Sequence, residues 1–319
     1  MNYKKIIQTI KKHKTFLISA HVNPDPDALC SEIALAIYLR SLGKTADIVN
    51  EEAIPGRFKF LPHSNWVKRY SDKKHASYDV AIILDCGDLS RVGKVQKLIS
   101  PQTIVINIDH HITNDYFGRI HCVVHKASST AEILFELLSA AKFKLTDNAA
   151  MHLYTGIMTD TGSFRYENTS PRTFEIAAQL KRYGFSADKI YRQIYESIPA
   201  NDIKEFTKII KQFHSEFDGR AAYVYLQKDV LSKFSQEFDL RDTIFKFLRA
   251  IKGVDVIVIF TEVAKNKTRI NFRSFGKVDV AKIAHSFNGG GHKNASGGLI
   301  AKNMKDAQKV VLKAIKKVL

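Results

Sequence analysis

Four short, mainly apolar stretches mark the first half of the chain: TFLISA (15–20), TADIVN (45–50), DVAIILD (79–85) and TIVINID (103–109). Their length and their β-branched residues predict buried strands. Between and after them, apolar positions recur at helical spacing in ALCSEIALAIYLRSLG (28–43), STAEILFELLSAAKF (129–143) and TDNAAMHLYTGIMTD (146–160). Two further helices follow, SPRTFEIAAQLKRYG (170–184) and SADKIYRQIYES (186–197), with SPR and GFSAD as start and stop signals. Strands of this kind alternating with helices predict an α/β fold, a doubly wound and mostly parallel sheet covered on both faces.

The texture changes near residue 215. RAAYVYL, VDVIVIFTEV and KTRINFRSF read as strands, with RDTIFKFLRAIKG as a helix between the first two, and HSFNGGGHKNASGGL then breaks the pattern with glycine. A second, smaller α/β domain with a mixed sheet is expected over 216–319. The first domain then covers 1–190, and 191–215 forms a helical linker, with Asn201 or Asp202 as the cap of its helix.

At 319 residues the chain is long enough for two cores. No apolar run reaches the roughly 18 residues of a membrane span. The basic start, MNYKKIIQTIKKHKTF, has helically spaced apolar residues and no cleavage site, which argues against a signal peptide. A cytoplasmic protein with no membrane partner is expected. Three cysteines without a CxxC pair suit reduced thiols better than a disulfide framework. The formal charge of +17 favours polyanionic partners. Lysines opposite the apolar stripes of the two terminal helices also suit plain solvated faces, so charge alone leaves the partner open.

The chemistry gathers where strands end. HVNPDPDA follows the first strand and carries His21, Asp25 and Asp27; DVAIILD, in DVAIILDCGD, ends at Asp85; TIVINIDHH ends in Asp109, His110 and His111. Asp160 closes a helix before a Thr/Gly/Ser-rich loop. Any one of these aspartates suits an ordinary helix cap or turn. In a doubly wound sheet, however, strand ends converge on one edge, where ligands bind. So many carboxylates facing one cleft repel one another unless cations neutralise them. Oxygen-rich ligation with some imidazole fits Mn²⁺ or Mg²⁺ better than Zn²⁺. There are ligands enough for two ions, the usual apparatus for in-line attack on phosphorus. In the second domain, successive glycines allow backbone N–H groups to approach an anion, His292 and Lys293 add positive character, and Arg273 can pair with phosphate. A flexible turn explains the same glycines equally well. Arg91 is a further phosphate candidate.

HVNPDPDA, DCGD, DHH and TDTG, in that order, resemble the four motifs of the DHH phosphoesterase superfamily, and GGGHKNASGG with the upstream FRSF resembles its DHHA1 companion domain. The order and spacing resemble the compact bacterial oligoribonuclease (nanoRNase)/pAp phosphatase branch. That resemblance implies one metal on His21, Asp25 and Asp85, and a second on Asp27, Asp85, His110 and Asp160, with Asp85 bridging. Mn²⁺ is the expected ion, with Mg²⁺ as the other candidate. Asp109 would hold His110 in its ligating orientation. His111 would contact the scissile phosphate or protonate the leaving oxygen, a purely structural histidine being the alternative. Arg273, Ser274, Gly289, Gly290, Gly291, His292 and Arg91 would bind substrate.

The implied activity is hydrolysis of short RNA or DNA oligonucleotides to nucleoside monophosphates, and dephosphorylation of pAp or related nucleotides, by two-metal activated hydroxide attack on phosphorus. A phosphodiesterase acting on cyclic dinucleotides or their linear products is the enzymatic alternative, and a catalytically silent nucleotide- or RNA-binding protein the alternative of a different class. Homodimerisation stays open. Two positions depart from the resemblance: Pro26 and Cys30 stand where the family has glycine. Proline cannot adopt φ > 0, but the turn is expected to survive, because φ near −65° is also common there.

Overall fold

Six segments of the first half pair side by side: β1 (Thr15–Ser19), β2 (Thr45–Asn50), β3 (Val67–Arg69), β4 (Val80–Leu84), β5 (Ile104–Asp109) and β6 (Ile120–Val123). They form one sheet in the order β3-β2-β1-β4-β5-β6, and every neighbouring pair is parallel. The computed structural model describes residues 3–72, 77–235 and 238–319; the side chain of His292 lies outside the described residues. The chain falls into two compact units, Met1–Glu196 and Ser197–Leu319.

The first unit also holds α1 (Tyr3–Lys12), α2 (Pro26–Ser41), α3 (Thr130–Ala140), α4 (Asp147–Asp160), α5 (Pro171–Leu180) and α6 (Ala187–Tyr195). Alternation along the strands divides the apolar side chains between two faces. Phe16, Ile18, Ile82 and Ile106 pack with Leu29, Ile33 and Leu134 of the helices, while Leu17, Ala81 and Ile83 pack with Val92 and Val95 on the other side. That second face is covered by a 3₁₀ stretch, Leu89–Leu98, kinked where Gly93 takes φ 63°, rather than by an α-helix. Helix α2 is apolar around most of its circumference because it lies between the sheet and α4. Its fully buried Leu29, Ile33, Leu35 and Leu39 each contribute about 1.5–3 kcal/mol by leaving water.

The strand order positions the site. The chain lays down β1, β2 and β3 outward in one direction, then returns to place β4, β5 and β6 on the opposite side of β1. Its direction of progress reverses between β1 and β4. At such a reversal the loops leaving the two carboxyl ends turn away from each other and open a crevice.

The second unit has its own sheet, built from β7 (His214–Glu216), β8 (Ala221–Leu226), β9 (Val256–Ala264), β10 (Lys267–Ser274), β11 (Gly290–His292) and β12 (Ala295–Ile300). The order is β11-β12-β10-β9-β8-β7, with β8 and β9 parallel and the other pairs antiparallel. Its helices are α7 (Ala200–Ile210), α8 (Leu240–Leu248), α9 (Val280–His285) and α10 (Met304–Lys316). Ile283 of α9 and Val311 and Ile315 of α10 pack on one face; Phe206 of α7 and Leu240, Ile244 and Leu248 of α8 pack on the other. The helix read in sequence as a connector thus contributes Phe206 to this core.

The glycine run differs from its sequence reading. Gly290–His292 is a strand paired with Ala295–Gly297 rather than an open loop. Its glycines allow two backbones to close together: a Cβ on Gly289 would collide with the Gly297 carbonyl, and Gly291 holds φ 137°.

Candidate metal centre

Asp25 ends the loop after β1 as the N-cap of α2: its Oδ1 accepts the Ala28 N–H at 3.0 Å, and Pro26 occupies the first helical turn. Proline is favoured there because its missing N–H would have no helical partner. The departure from glycine therefore leaves the turn intact. One residue on, Asp27 is 1% exposed and accepts the N–H groups of Thr130 and Ala131, at 2.7 and 3.0 Å, from the start of α3. Thus the carboxylate that follows β1 is fastened to the helix that follows β6.

Asp85 leaves β4 with φ 52°, and its N–H donates to the Ile108 carbonyl at 3.0 Å. This positive φ turns the carboxylate into the crevice beside β1. Its two oxygens face two groups. Oδ2 lies 3.6 Å from His21 Nε2; Oδ1 lies 3.5 Å from His110 Nε2 and 3.7 Å from His111 Nδ1. His110 Nε2 is also 3.5 Å from Asp160 Oδ2, at the end of α4. Donor atoms of His21, Asp25 and Asp85 all lie within 4.8 Å of one another, as do those of Asp27, His110 and Asp160, and those of Asp85, His110 and His111. Donors that share a cation at about 2.1 Å each stand at such separations.

The electrostatics point the same way. Burial and then the charges of Asp85 and Asp160 hold the Asp27 carboxyl well above its usual range. Burial, opposed by His110, lifts Asp160 to about 7. Asp85 goes the other way: the imidazoles of His110 and His21 outweigh its burial and hold it well below the usual range. Burial would lower His21 and His110, but Asp85 outweighs it and raises them to about 9 and about 10. The cluster draws protons from solution, as a crowded set of acids does when it lacks positive charge.

Asp109 is fully buried, and its Oδ1 accepts the backbone N–H of His110 at 2.8 Å and meets His111 Nδ1 at 2.7 Å. The ring it orients is therefore that of His111, not that of His110 as expected. Asn114 secures its other oxygen, donating to Oδ2 at 2.6 Å.

Residues 15–157 match the DHH family N-terminal domain, and residues 220–319 match the DHHA1 domain. The chain belongs to the DHH family. It is 32% identical over 299 residues to a probable bifunctional oligoribonuclease and PAP phosphatase NrnA of Streptococcus mutans, with 92% of each chain covered. It is 30% identical over 304 residues to the bifunctional oligoribonuclease and PAP phosphatase NrnA of Bacillus subtilis, covering 93% of this chain and 92% of the relative. The crystal structure of an exopolyphosphatase-related protein from Bacteroides fragilis matches with a TM-score of 0.92 at 28% identity, covering 99% and 96% of the two chains.

In this DHH-family chain the remaining sequence candidates have varied surroundings. The Arg91 carbonyl accepts the Val22 N–H at 2.7 Å, so its backbone braces the turn that carries His21. Next to that turn opens a cavity of about 720 Å³, lined in part by Val22, Asn23, Glu52, Lys94 and Lys97. Arg273, in the second unit, is exposed and stands 5.1 Å over the ring of Phe245. Ser274 departs from expectation: it is buried, and its hydroxyl is turned inward to the carbonyls of Val278 and Lys293, so it braces the fold instead of meeting substrate. The Gly289 N–H likewise donates to the Ala284 carbonyl at 2.9 Å and is not offered to an anion. Gly290 and Gly291 pair with β12.

Thr130 escapes the sequence reading. Its hydroxyl donates to Asp85 Oδ1 at 2.9 Å while its N–H holds Asp27. The signal lay in STAE: Ser129 caps α3 through the Glu132 N–H, which marks a helix start whose first N–H groups seek an anion.

Proposed function

We propose that the protein is a divalent-metal-dependent phosphoesterase that hydrolyses short oligonucleotides to nucleoside monophosphates and removes the 3′-phosphate of pAp. The observation that carries this reading is Asp85, whose two oxygens face separate ligand groups at the crevice where the sheet order reverses. Similarity to relatives named oligoribonuclease and PAP phosphatase supports the substrate class. The donor set, four carboxylates and two imidazoles without a thiolate, fits Mn²⁺ and also Mg²⁺. His21, Asp25 and Asp85 would hold one ion, and Asp27, Asp85, His110 and Asp160 the other.

Two such ions, when bound, supply Lewis acidity to the phosphoryl oxygens and make water a competent nucleophile near neutral pH. The chain's own groups do the rest. Asp109 takes Nδ1 of His111, so a proton given to the leaving oxygen travels from Nε2. Asp27 and Asp85 keep their orientation through Thr130. Arg91 and Arg273 would meet phosphate. Cys30, Cys86 and Cys122 are buried thiols rather than disulfides, which supports a reducing compartment, the cytoplasm.

The test is a substrate panel: a dinucleotide, a pentanucleotide, pAp, cyclic di-AMP and pyrophosphate, each with Mn²⁺, with Mg²⁺ and with EDTA. Nucleoside monophosphates should appear from the first two, and AMP with phosphate from pAp, only with metal. Asp85→Asn should lower both activities more than about a hundredfold. Hydrolysis that survives EDTA or that substitution overturns the reading.

A further inference from the structure

The stretch HVNPDPDALCSE ends in a carboxylate that the proposed ligand groups leave unused. Glu32 lies on α2 and is fully buried, in company with Leu29, Ile33, Leu35 and Ala36 of the same helix. Asp27 apart, it is the one charged side chain buried on α2 among the described residues. Its Oε2 accepts a hydrogen bond from Asn50 Nδ2 at 2.8 Å, and its Oε1 has no hydrogen-bond partner. A buried carboxyl left half-satisfied weakens a fold, so an apolar residue would suit this place better if packing were all it served. The conflict points to a role that needs the acceptor.

The other end of Asn50 shows what that role is. Asn50 closes β2 and is buried, and its Oδ1 accepts two donors, the Ser19 hydroxyl and the Ala20 N–H, each at 3.3 Å. The β1–β2 register runs from Thr15–Thr45 to Ile18–Ile48, whereas β1 stays paired with β4 as far as Ser19–Ile83. On the β2 side, therefore, a side chain takes over from the ladder in the last two residues before His21. Asn50 thus joins the two ends of one turn: Ala20 stands immediately before His21, and Glu32 rides on the helix that Asp25 caps. The middle of the turn is held separately. Val22 donates its N–H to the Arg91 carbonyl at 2.7 Å, and Asn23, at φ 54°, donates its N–H to Glu52 Oε2 at 3.1 Å. A turn fixed at both ends and in the middle gives its ligands little freedom of spacing, as a small cation with short bonds to oxygen and nitrogen demands. Asp27 is anchored differently, on the N–H groups of Thr130 and Ala131.

We infer that Glu32 and Asn50 are positioning residues for the ion held by His21, Asp25 and Asp85: they clamp the end of β1 to α2 and so set the separation of His21 from Asp25. The inference rests on the proposed metal centre, and it gives neither residue a contact with substrate. Acceptance by Oε2 needs no charge. Burial lifts the Glu32 carboxyl to about 8, against the pull of its Asn50 bond and of His21, so the metal-free protein at neutral pH holds mainly the neutral acid. Glutamine copies that acceptor.

The test counts bound Mn²⁺ in full-length protein from the electron paramagnetic resonance of the free ion, with the Mn²⁺ concentration for half-maximal dinucleotide hydrolysis measured alongside. Wild type should bind two ions. In Glu32→Leu one of the two should bind at least about tenfold more weakly while the other stays within about twofold, and the half-maximal concentration should rise with the weaker site. Glu32→Gln should keep both sites within about twofold of wild type. Asn50→Ala should reproduce the loss, and adding Glu32→Leu to it should cost little more, as for two links of one chain. Equal weakening of both ions, additive losses in the double variant, or a Glu32→Gln as weak as Glu32→Leu overturns the clamp. Two ions bound unchanged by Glu32→Leu overturn it as well, and leave the metal centre standing. If wild type itself binds no Mn²⁺, the proposed metal centre fails and the clamp with it.

Discussion

Single residues in this chain often carry two duties at once. Asp25 suits both a helix cap and a metal ligand in sequence, and the structure makes it a cap whose carboxylate also faces His21 and Asp85. Asp85 adopts a left-handed φ, tolerated by aspartate better than by most residues, and this strain aims the carboxylate. His152 shows the opposite case, a histidine with no catalytic context. It is fully buried on α4, Nε2 donates to the Pro62 carbonyl at 2.9 Å, and Nδ1 has no partner. Burial, opposed by that hydrogen bond, lowers its pKa to about 4 from 6.5. The unfolded chain therefore takes up a proton near pH 6.5 that the folded chain refuses until about pH 4. Between those values the unfolded state binds more protons, so stability falls as pH falls through this window. The full loss is about 3 kcal/mol. Urea unfolding at pH 7.5 and pH 4.5 checks this in EDTA: His152→Gln, which keeps a donor for Pro62, should show a shallower decline than wild type. Parallel declines would remove His152 as the cause.

At the scale of elements, long apolar runs were legible and short or glycine-rich strands were not. β1, β2, β4 and β5 coincide with the four runs read from sequence, because strands buried on both faces leave a continuous apolar record. β6 is four residues, β3 is three residues, and β11 is mainly glycine; none is a long enough apolar run in sequence to be read as a strand. The candidate ligands were legible because each acidic or histidine motif stands just after an apolar run or at the end of an apolar helix. What sequence could not carry is the fastening between distant elements, such as Asp27 to α3 or Asp109 to His111. The contact of α2 with α4 is another example. Gly156 lies inside α4, where alanine would ordinarily favour the helix by about 1 kcal/mol. Here a Cβ would stand 2.6 Å from Asp27 Oδ1 and 2.7 Å from Ala131 Cβ. Gly156→Ala should instead destabilise the protein by about 1–3 kcal/mol and weaken metal-dependent hydrolysis, because the atom it displaces is a proposed ligand. Thermal unfolding together with activity against Mn²⁺ concentration would decide. A variant more stable than wild type with unchanged metal dependence would mean the two helices separate at no cost.

For the molecule as a whole, charge is distributed against its average. The chain carries a formal +17, yet the first unit gathers four carboxylates at one sheet edge, with Asp27 and Asp160 pushed toward their neutral forms by burial before any neighbouring charge. Such a cluster opposes folding until positive charge enters it, whereas the second unit, with separate cores on its own sheet, contains none of these residues. Metal should therefore stabilise one unit and not the other. At a free-ion concentration a hundredfold above Kd, binding contributes about 2.7 kcal/mol to the state that binds. For a unit of this size that shifts Tm upward by about 5–10 °C. Scanning calorimetry of the full chain in EDTA and in Mn²⁺ should show one transition moving by that amount while the other stays within about 1 °C. Asp85→Asn, which removes the carboxylate proposed to bridge the two ions, should abolish most of the shift. If both transitions moved together in wild type and variant alike, the ions would be acting on the general surface, and the sheet-edge cluster would no longer account for the metal dependence.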